Sequence, residues 1–280
     1  MTHPTFSFEM FPPKTEEGVA PLFNAVHELA KLNPAFITVT FGAGGTGATG
    51  TGHLALRIQK ETGISTAAHL TYINLSKHEL AEFTAGLWHN GIRRIVALRG
   101  DFPPGWRAPD YTEGRHYRFT DEFVAGLRAQ HDFDISVGAY PEKHPDAPSL
   151  ETDIEALKKK CTAGAKRAIT QFFFENDSYF RFLDLAAKAG ITTPILPGLL
   201  PIANFQRMQV FADKCGAKVP GWLVARFEKL KEEDTPKLAL ELLVAQIRGL
   251  KAKSVPHFHF YTLNRAGLCR DACRAAGLVV

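Results

Sequence analysis

What the sequence lacks excludes several classes of protein. Only four of the 280 residues are cysteine, they are scattered, and no C-x-x-C pair occurs, so neither a disulfide framework nor a cysteine zinc site is indicated. No apolar run reaches the roughly 18 residues that cross a bilayer, and the first residues, M-T-H-P-T-F, lack the charged and apolar regions of a signal peptide. We therefore expect a cytoplasmic protein with reduced thiols and no membrane partner.

Charge of one sign is also scarce. The net charge is only +4, because Lys and Arg are interspersed with Asp and Glu, and the longest cationic run is Lys158-Lys159-Lys160. This run lies in a helical pattern, where a solvated face is more common than a nucleic-acid patch, so we expect no nucleic-acid partner. With 45% hydrophobic and 22% charged residues, the composition is that of a soluble globular enzyme. The sequence leaves a homo-oligomer open.

Strand and helix patterns alternate along the whole chain. Eight short runs rich in Val, Ile, Phe and Thr predict strands that begin near residues 6, 36, 65, 94, 134, 168, 195 and 257. Helical periodicity is found at 19–32, 77–90, 150–163, 178–189, 205–215 and 236–251. This alternation, with no linker between its units, predicts an α/β protein in which residues 1–280 form a single (β/α)8 TIM barrel. The seventh strand is the weakest prediction, because it contains Pro197 and Gly198.

The first strand, F-S-F-E-M-F-P-P, places Glu9 among phenylalanines. Successive strand residues point to opposite faces, so Glu9 shares a face with Ser7 and Phe11. A buried, unpaired carboxylate is costly and usually takes up a proton, which raises its pKa. Glu9 therefore needs a charged partner, a solvent-filled cavity or a chemical role.

Polar residues follow the predicted strands at the points where these strands end. In a (β/α)8 barrel, the chemistry is found at the C-terminal ends of the strands. The residues predicted to form a polar ring there are Glu9, Thr40, His69, Arg99, Asp101, Tyr140, Glu142, His144, Gln171, Asn264 and Arg265. Such a ring is typical of an active-site mouth, and it would give Glu9 its cavity.

Two stretches that contain glycine allow more than one interpretation. In A-L-R-G-D, Arg99 and Asp101 could form a local ion pair, or Gly100 could let the backbone approach a flat ligand whose polar edge the two charges bind. The run from Gly42 to Gly52 could hold a phosphate on backbone N–H groups. It matches neither a P-loop nor a Rossmann fingerprint in the right context, so a flexible loop is favoured.

Three further groups of residues have both a structural and a functional interpretation. Asp153 and Lys160 are seven positions apart and share a helix face, which is usually a solvated one. His257 and His259 alternate along a predicted strand, but no other ligand is near in sequence, so core histidines are favoured and no metal site is expected. Gln171 precedes three phenylalanines, and an amide at an aromatic-lined mouth suits a heterocyclic substrate.

Taken together, eight stretches in order resemble the methylenetetrahydrofolate reductase family in its FAD-dependent bacterial form. They are F-S-F-E-M-F-P-P-K-T, V-T-F-G-A-G-G, A-A-H-L-T, G-I-R-R-I-V-A-L-R-G-D-F-P-P-G, Y-P-E-K-H-P, A-I-T-Q-F-F-F, P-G-L-L-P-I-A-N-F and F-H-F-Y-T-L-N-R-A. The resemblance implies a (β/α)8 barrel of one-carbon metabolism in which NADH or NADPH reduces FAD. The flavin would then pass hydride to 5,10-methylenetetrahydrofolate in a ping-pong cycle, giving 5-methyltetrahydrofolate.

The resemblance also implies roles for individual residues. Glu9 matches the family's general acid, which protonates N10 of the folate and leaves an electrophilic iminium at N5. Asp101 matches a carboxylate that holds the pterin beside the flavin. The positions that match cofactor contacts are Thr40, Phe41, Ala43, His69, Arg99, Gly100, Asp101, Tyr140, His144, Asp153, Lys159 and Lys160. The positions that match substrate contacts are Asp101, Gln171, Arg207, Phe211 and Arg265.

The sequence departs from the family's pattern at several positions. Residues 46–52 are all Gly, Ala and Thr where a charged stretch is common, and the loop 102–119 is longer. Arg207 stands where a folate-contacting Gln is common, Ala156 replaces a polar FAD contact, and Glu175 replaces an Asp. Two other functions stay open: a flavin-free enzyme that transfers hydride directly from NADH to the folate, and a barrel that binds folate or flavin without turnover.

Overall fold

Eight parallel strands close into a barrel in the order in which they follow one another along the chain, and the eighth pairs with the first. This computed structural model describes residues 3–41, 47–73, 75–101 and 114–279, with the backbone alone at 47–49. The strands are β1 (Thr5–Met10), β2 (Phe36–Val39), β3 (Thr66–Thr71), β4 (Arg94–Leu98), β5 (Asp134–Ala139), β6 (Arg167–Phe172), β7 (Ile195–Leu199) and β8 (His257–Tyr261). The structure confirms the predicted barrel and all eight predicted strands.

Helices follow the strands along the chain. They are α1 (Val19–Ala30), α2 (Gly47–Thr62), α3 (Lys77–His89), α4 (Thr120–Gln130), α5 (Leu150–Thr162), α6 (Asn176–Lys188), α7 (Phe205–Cys215), α8 (Gly221–Glu228), α9 (Thr235–Ala252) and α10 (Ala266–Ala275). The six helices whose bounds the sequence predicts are confirmed. The sequence does not predict bounds for α2, α4, α8 or α10. Within the described ranges, no helix is long and apolar enough to cross a membrane.

Helix α2 corrects the interpretation of the run from Gly42 to Gly52 as a flexible loop. Residues 42–46 lie outside the described part of the chain, but α2 begins at Gly47, so the second half of the run is helical. Its Gly, Ala and Thr residues have no apolar periodicity, and the buried residues Ala55 and Ile58 come only later in the helix. Gly52 lies where α2 meets α3, and a Cβ there would be 3.1 Å from the Phe83 ring.

The side chains of β1 divide between two environments. Phe8 and Met10 are fully buried in the main hydrophobic core, which strands and helices build together. The alternate residues, Ser7 and Glu9, point into the barrel, where Ser7 contacts two histidines of β8. The alternation predicted from the sequence is therefore confirmed, and the barrel interior is where Glu9 finds its neighbours.

Strand β7 keeps its place in the barrel although it contains proline and glycine. The backbone N–H of Gly198 donates to Oγ1 of Thr170 at 2.8 Å, and the pairing of β6 with β7 shifts register nearby. A Cβ at position 198 would strike the Thr170 carbonyl oxygen and the Tyr261 ring. Glycine is required here because β6 and the Tyr261 side chain approach the β7 backbone closely.

Candidate active site

A cavity of about 640 Å³ opens at the C-terminal ends of the barrel strands. Its wall is formed by strands β1, β3 to β6 and β8 and by the loops that follow β1 to β5, and α7 contributes Phe211. The sequence-predicted site residues that line it are Glu9, Thr40, Phe41, His69, Arg99, Gly100, Asp101, Tyr140, His144, Gln171 and Phe211. The structure thus brings most of the predicted ring together around one opening.

Glu9 lines this cavity from inside the barrel, and its side chain is buried. Its Oε2 atom is 3.4 Å from Nε2 of His69 and 3.5 Å from Nε2 of His259. Burial raises the pKa of Glu9 from its usual 4.5 to about 7, and His69 opposes that rise. Burial also lowers the pKa of His69 to about 4, so this ring is neutral near pH 7 and opposes the rise only weakly. The Glu9 carboxyl can therefore hold a proton near neutral pH.

The histidines of β8 belong to the barrel interior. His257 and His259 are buried, and His259 meets the Tyr261 ring edge-on at 5.3 Å. The expectation that they are core histidines is confirmed, although the contact between His259 and Glu9 could not be seen in the sequence. Across the residues that the structure describes, no group of three or more His, Cys, Asp or Glu side chains is arranged to hold a metal ion.

The stretch A-L-R-G-D does not form the local ion pair that is one of the two arrangements expected for it, and its Arg99, Gly100 and Asp101 all line the cavity. Nη2 of Arg99 donates to Oδ2 of Asp146 at 2.8 Å, so the ion pair seen here joins Arg99 to a distant residue and not to Asp101. Gly100 has a φ of +91°, and a Cβ there would be 2.8 Å from Cβ of Thr71. Packing against the end of β3 therefore requires glycine at this position. Asp101 is exposed and lines the cavity.

A second cavity of about 340 Å³ adjoins the first, beside β5 and α5. The residues common to both walls are Leu98, Arg99, Gly138, Tyr140 and His144. Asp153 and Lys160 line the second cavity, so the helix face expected to be solvated is partly buried. Oδ2 of Asp153 accepts the backbone N–H of His144 at 2.9 Å, and Nζ of Lys160 donates to the Gly138 carbonyl oxygen at 2.6 Å. Both side chains tie α5 to the cavity wall.

An aromatic surface and an amide lie side by side in the main cavity. Phe211 stacks on Phe172, with ring centroids 5.3 Å apart and an interplanar angle of 25°. Oε1 of Gln171 accepts the backbone N–H of Phe172 at 3.1 Å. The amide NH₂ of Gln171 is consequently the part of this side chain that is placed to donate to a ligand.

The sequence matches one known protein family over nearly its whole length. The family model described as Methylenetetrahydrofolate reductase matches residues 1–277. The chain belongs to this family. Two 5,10-methylenetetrahydrofolate reductases, from Salmonella typhimurium and from Escherichia coli, are each 42% identical over 274 residues, which cover 97% of this chain and 90% of theirs. Methylenetetrahydrofolate reductase (NADH) 1 of Arabidopsis thaliana is 35% identical over 272 residues, covering 92% of this chain and 46% of the plant protein.

A solved structure of low sequence identity shares the fold. A Clostridium thermocellum protein that binds two copies of 5-methyl-5,6,7,8-tetrahydrofolic acid superposes with a TM-score of 0.65, covering 98% of this chain and 94% of that one. The two sequences are 14% identical, so this likeness shows the barrel fold alone.

Four of the residues that the family resemblance predicts as contacts are not placed in either cavity wall. Ala43 lies outside the described residues. Lys159, Arg207 and Arg265 are exposed and line neither cavity. Arg207 lies one helical turn before Phe211 on α7, so the two share a helix face.

Tyr261 and Asp146 are among the site residues that the sequence-based prediction missed. Tyr261 lines the main cavity, its hydroxyl donates to the Thr170 carbonyl oxygen at 2.7 Å, and burial raises its pKa well above the usual range. It alternates with His257 and His259 along β8, so strand periodicity could have found it. Asp146, the partner of Arg99, lies in an irregular segment after β5 where no sequence signal marks it.

Two members of the predicted polar ring hold loops in place and do not line the main cavity. Oε2 of Glu142 accepts the backbone N–H of Lys218 at 2.8 Å. Oδ1 of Asn264 accepts the backbone N–H of Phe11 at 2.8 Å, and its Nδ2 donates to the Phe11 carbonyl oxygen at 2.8 Å. Both side chains satisfy backbone groups of neighbouring loops, which fixes those loops around the mouth.

Proposed function

We propose that this chain is a methylenetetrahydrofolate reductase that uses NADH or NADPH, through bound FAD, to reduce 5,10-methylenetetrahydrofolate to 5-methyltetrahydrofolate. The observation that carries the proposal is Glu9, a carboxyl that burial keeps protonatable at neutral pH in the wall of a large cavity, in a chain of this family. The bacterial relatives that match nearly the whole chain carry the name of that activity.

The two adjoining cavities fit an elongated, flat cofactor such as FAD. Pockets for small molecules and cofactors typically measure about 300–1,000 Å³, and here a cavity of about 640 Å³ adjoins one of about 340 Å³. Arg99 and Lys160 supply the positive charge that would face a diphosphate, in a wall that also contains Asp121, Asp146 and Asp153. Tyr140 and His144, whose rings meet edge to face at 4.5 Å, lie in the wall that both cavities share. When bound, FAD supplies the hydride chemistry between nicotinamide and folate.

Glu9 acts as the proton donor to the folate. Protonation of N10 opens the imidazolidine ring and leaves an electrophilic iminium at N5, which a hydride can reduce. With a pKa of about 7, Glu9 carries its proton in a fraction of the molecules at neutral pH and can release it to a reacting amine. Burial lowers the pKa of His69 to about 4 and that of His259 to about 3, so neither ring takes the proton from Glu9.

Side chains at the mouth would orient the pterin. Asp101 presents a carboxylate that can accept N–H groups of the heterocycle, and Gln171 presents an amide donor. Phe211 offers an aromatic face on which a flat ring can stack. The exposed guanidinium groups of Arg207 and Arg265 would suit the glutamate carboxylates of the folate.

The nicotinamide nucleotide and the folate would bind in turn at the same cavity opening. Gln171 and Phe211 line the same cavity as Glu9, so the nicotinamide and the pterin would compete for the same space. That overlap favours a ping-pong cycle, in which the oxidised nicotinamide nucleotide leaves before the folate enters.

Assays on the purified protein test the proposal. We expect visible flavin absorbance, and oxidation of NADH or NADPH that depends on 5,10-methylenetetrahydrofolate and yields 5-methyltetrahydrofolate. A colourless protein that still oxidised NADH with the folate would indicate direct, flavin-free transfer. A protein that bound folate or flavin without turnover would be a binding module, and either outcome would contradict the proposal.

A further inference from the structure

A line of hydrogen bonds crosses the barrel interior away from the mouth. Oγ1 of Thr5 is 2.7 Å from Nδ1 of His257, and Nε2 of His257 is 2.8 Å from Oγ of Ser7. The same Ser7 oxygen is 2.8 Å from Nδ1 of His259. The register of β1 and β8, which pairs Thr5 with His257 and Ser7 with His259, brings these groups together.

The line ends at Glu9. Nε2 of His259 is 3.5 Å from Oε2 of Glu9, is buried, and has no hydrogen-bond partner among the residues that the structure describes. A buried polar atom without a partner is costly, and a shift of a few tenths of an ångström by the carboxyl would bring the two atoms within hydrogen-bond distance. His69, which lines the cavity, contacts the same Glu9 oxygen at 3.4 Å. Glu9 therefore connects the cavity to this line of hydrogen bonds.

The other end of the line reaches the outside of the barrel. Thr5 is exposed, whereas Ser7, His257 and His259 are buried. Phe36 stacks on His257 with ring centroids 5.4 Å apart, which helps to close the interior around the line. A polar connection thus joins the exposed beginning of β1 to the buried carboxyl at the cavity.

The hydrogen bonds of the line can all run in one direction, so that each group donates its hydrogen to the next group toward Glu9. A serine hydroxyl has one hydrogen, so one of the two rings at Ser7 accepts and the other donates. If Ser7 donates to Nδ1 of His259, the hydrogen of that neutral ring lies on Nε2, facing Glu9. By the same reasoning Thr5 donates to Nδ1 of His257, and Nε2 of His257 donates to Ser7.

The two rings stay neutral because of where they lie. Burial lowers the pKa of His259 to about 3, and burial together with His259, Arg167 and Arg94 lowers that of His257 to about 3. Neutral imidazoles pass protons by exchanging which nitrogen carries the hydrogen, so no buried charge has to persist.

We infer that Thr5, His257, Ser7 and His259 form a proton relay that returns a proton from solvent to Glu9 after each turnover. The inference rests on the proposed role of Glu9 as proton donor. Every turnover takes one proton from Glu9, and ligands that fill the cavity cover this carboxyl from the mouth, whereas Thr5 remains open to solvent. The four residues act through Glu9, and none of them lines either cavity.

One proton enters the relay and one is delivered. Solvent protonates Oγ1 of Thr5, and the Thr5 hydrogen passes to Nδ1 of His257. The hydrogen on Nε2 of His257 passes to Ser7, and the Ser7 hydrogen passes to Nδ1 of His259. The hydrogen on Nε2 of His259 then passes to the Glu9 carboxylate, and the line is reset when each ring exchanges its hydrogen from Nδ1 back to Nε2 and the hydroxyls rotate back.

Two variants break the relay at different distances from Glu9. Ser7→Ala removes the central hydroxyl. His257→Phe keeps an aromatic ring against Phe36 and breaks the line away from Glu9, so it also carries the test if Ser7→Ala fails to fold. The matched control is Thr38→Val, because the Thr38 hydroxyl is buried on the strand beside Glu9 and has no hydrogen-bond partner within the described ranges.

Anaerobic stopped-flow kinetics separate the first folate reduction from later ones. Pre-reduced, equilibrated enzyme begins with the same fraction of Glu9 protonated whether or not the relay is intact, so the first reduction should stay within about twofold of wild type in all three variants. Steady-state turnover should fall by at least about tenfold in Ser7→Ala and His257→Phe but not in Thr38→Val, because reprotonation becomes limiting. The solvent deuterium isotope effect on turnover should grow in the two relay variants alone, which a purely structural defect would not produce.

Unchanged turnover in the relay variants, or a first reduction that falls as far as turnover does, would overturn the relay. The Glu9→Gln variant separates this failure from a failure of the proposed function. If its first folate reduction matched wild type, Glu9 would not be the proton donor. If that step were slow in Glu9→Gln while Ser7→Ala and His257→Phe turned over normally, the relay alone would be wrong.

Discussion

At the scale of the residue, Glu9 is held where its charge is costly. The hydroxyl of Thr262 donates to the Glu9 carbonyl oxygen at 2.6 Å, and β1 is paired on both sides, so the backbone cannot carry the side chain out to solvent. The neighbouring rings of His69 and His259 are neutral near pH 7 because burial lowers their pKa values. A proton is then the least costly way to compensate the buried carboxylate.

This environment makes stability depend on pH through Glu9. The pKa of Glu9 is about 7 in the folded state against 4.5 in the unfolded state. Its stabilising contribution to the free energy of unfolding is therefore complete below pH 4.5 and is lost as the pH rises through about 7. The Glu9→Gln variant has no carboxyl to ionise at this position, so it does not lose this stabilisation as the pH rises. We expect the free energy of unfolding of Glu9→Gln, relative to wild type, to rise by about 1–3 kcal/mol between about pH 5 and pH 8. Urea unfolding across this range measures it, and a constant difference would contradict the ionisation assigned to Glu9.

Gly100 is a second residue whose surroundings permit little change. Its φ is +91°, and a Cβ would lie 2.8 Å from both Cβ of Thr71 and Cγ2 of Ile73. Gly100→Ala should therefore reduce the free energy of unfolding by at least about 2 kcal/mol. Denaturant unfolding checks this. The control is Gly86→Ala in α3, an exposed site with nothing within 4 Å of the added carbon, which should stabilise the helix by about 0.5–1 kcal/mol. Equal effects of the two changes would contradict the argument.

At the scale of the element, α5 presents Asp153 and Lys160 to the second cavity, and we propose that this helix helps to hold the cofactor. Lys160→Ala removes both a charged group near the proposed diphosphate and the hydrogen bond to the Gly138 carbonyl. Flavin affinity should fall about ten- to a hundredfold, as expected for the loss of one charged hydrogen bond. Flavin content after dialysis and a binding titration measure the change.

The matched control for Lys160 lies on the same helix. Lys158 is exposed and lines neither cavity, so Lys158→Ala should retain flavin as wild type does. Circular dichroism of both variants checks that the barrel remains folded. Full retention of flavin by a folded Lys160→Ala would remove α5 from the proposed cofactor site.

The elements differ in how far the sequence predicts them. The strands are short runs of β-branched and aromatic residues bounded by polar segments, so each is visible locally, even β7 with its proline. Helix α2 is not visible locally, because its first residues, Gly47 to Gly52, carry no apolar period, and Gly52 packs closely against α3. Local patterns reveal elements that bury a regular face and miss those that tertiary contacts hold.

At the scale of the whole molecule, barrel closure determines which residues meet. Strand alternation and the rule that barrel chemistry lies at strand ends predict that Glu9, His69, Asp101 and Gln171 share a cavity, and they do. The pairing of Arg99 with Asp146 could not be predicted, because it joins two loops distant in sequence. The contacts of Ser7 with β8 likewise depend on the register in which the first strand closes against the last.

We propose that Glu9 donates the proton for folate reduction, and the two half-reactions of Glu9→Gln test this role most directly. Anaerobic stopped-flow would follow flavin bleaching by NADH or NADPH, and then reoxidation by 5,10-methylenetetrahydrofolate. Glu142→Gln is the control, since burial also raises the pKa of Glu142 but that carboxyl lies outside both cavity walls. Bleaching in Glu9→Gln should stay within about tenfold of wild type, and reoxidation should slow by at least about a hundredfold. Equal slowing of both half-reactions, or slowing of neither, would contradict the claim.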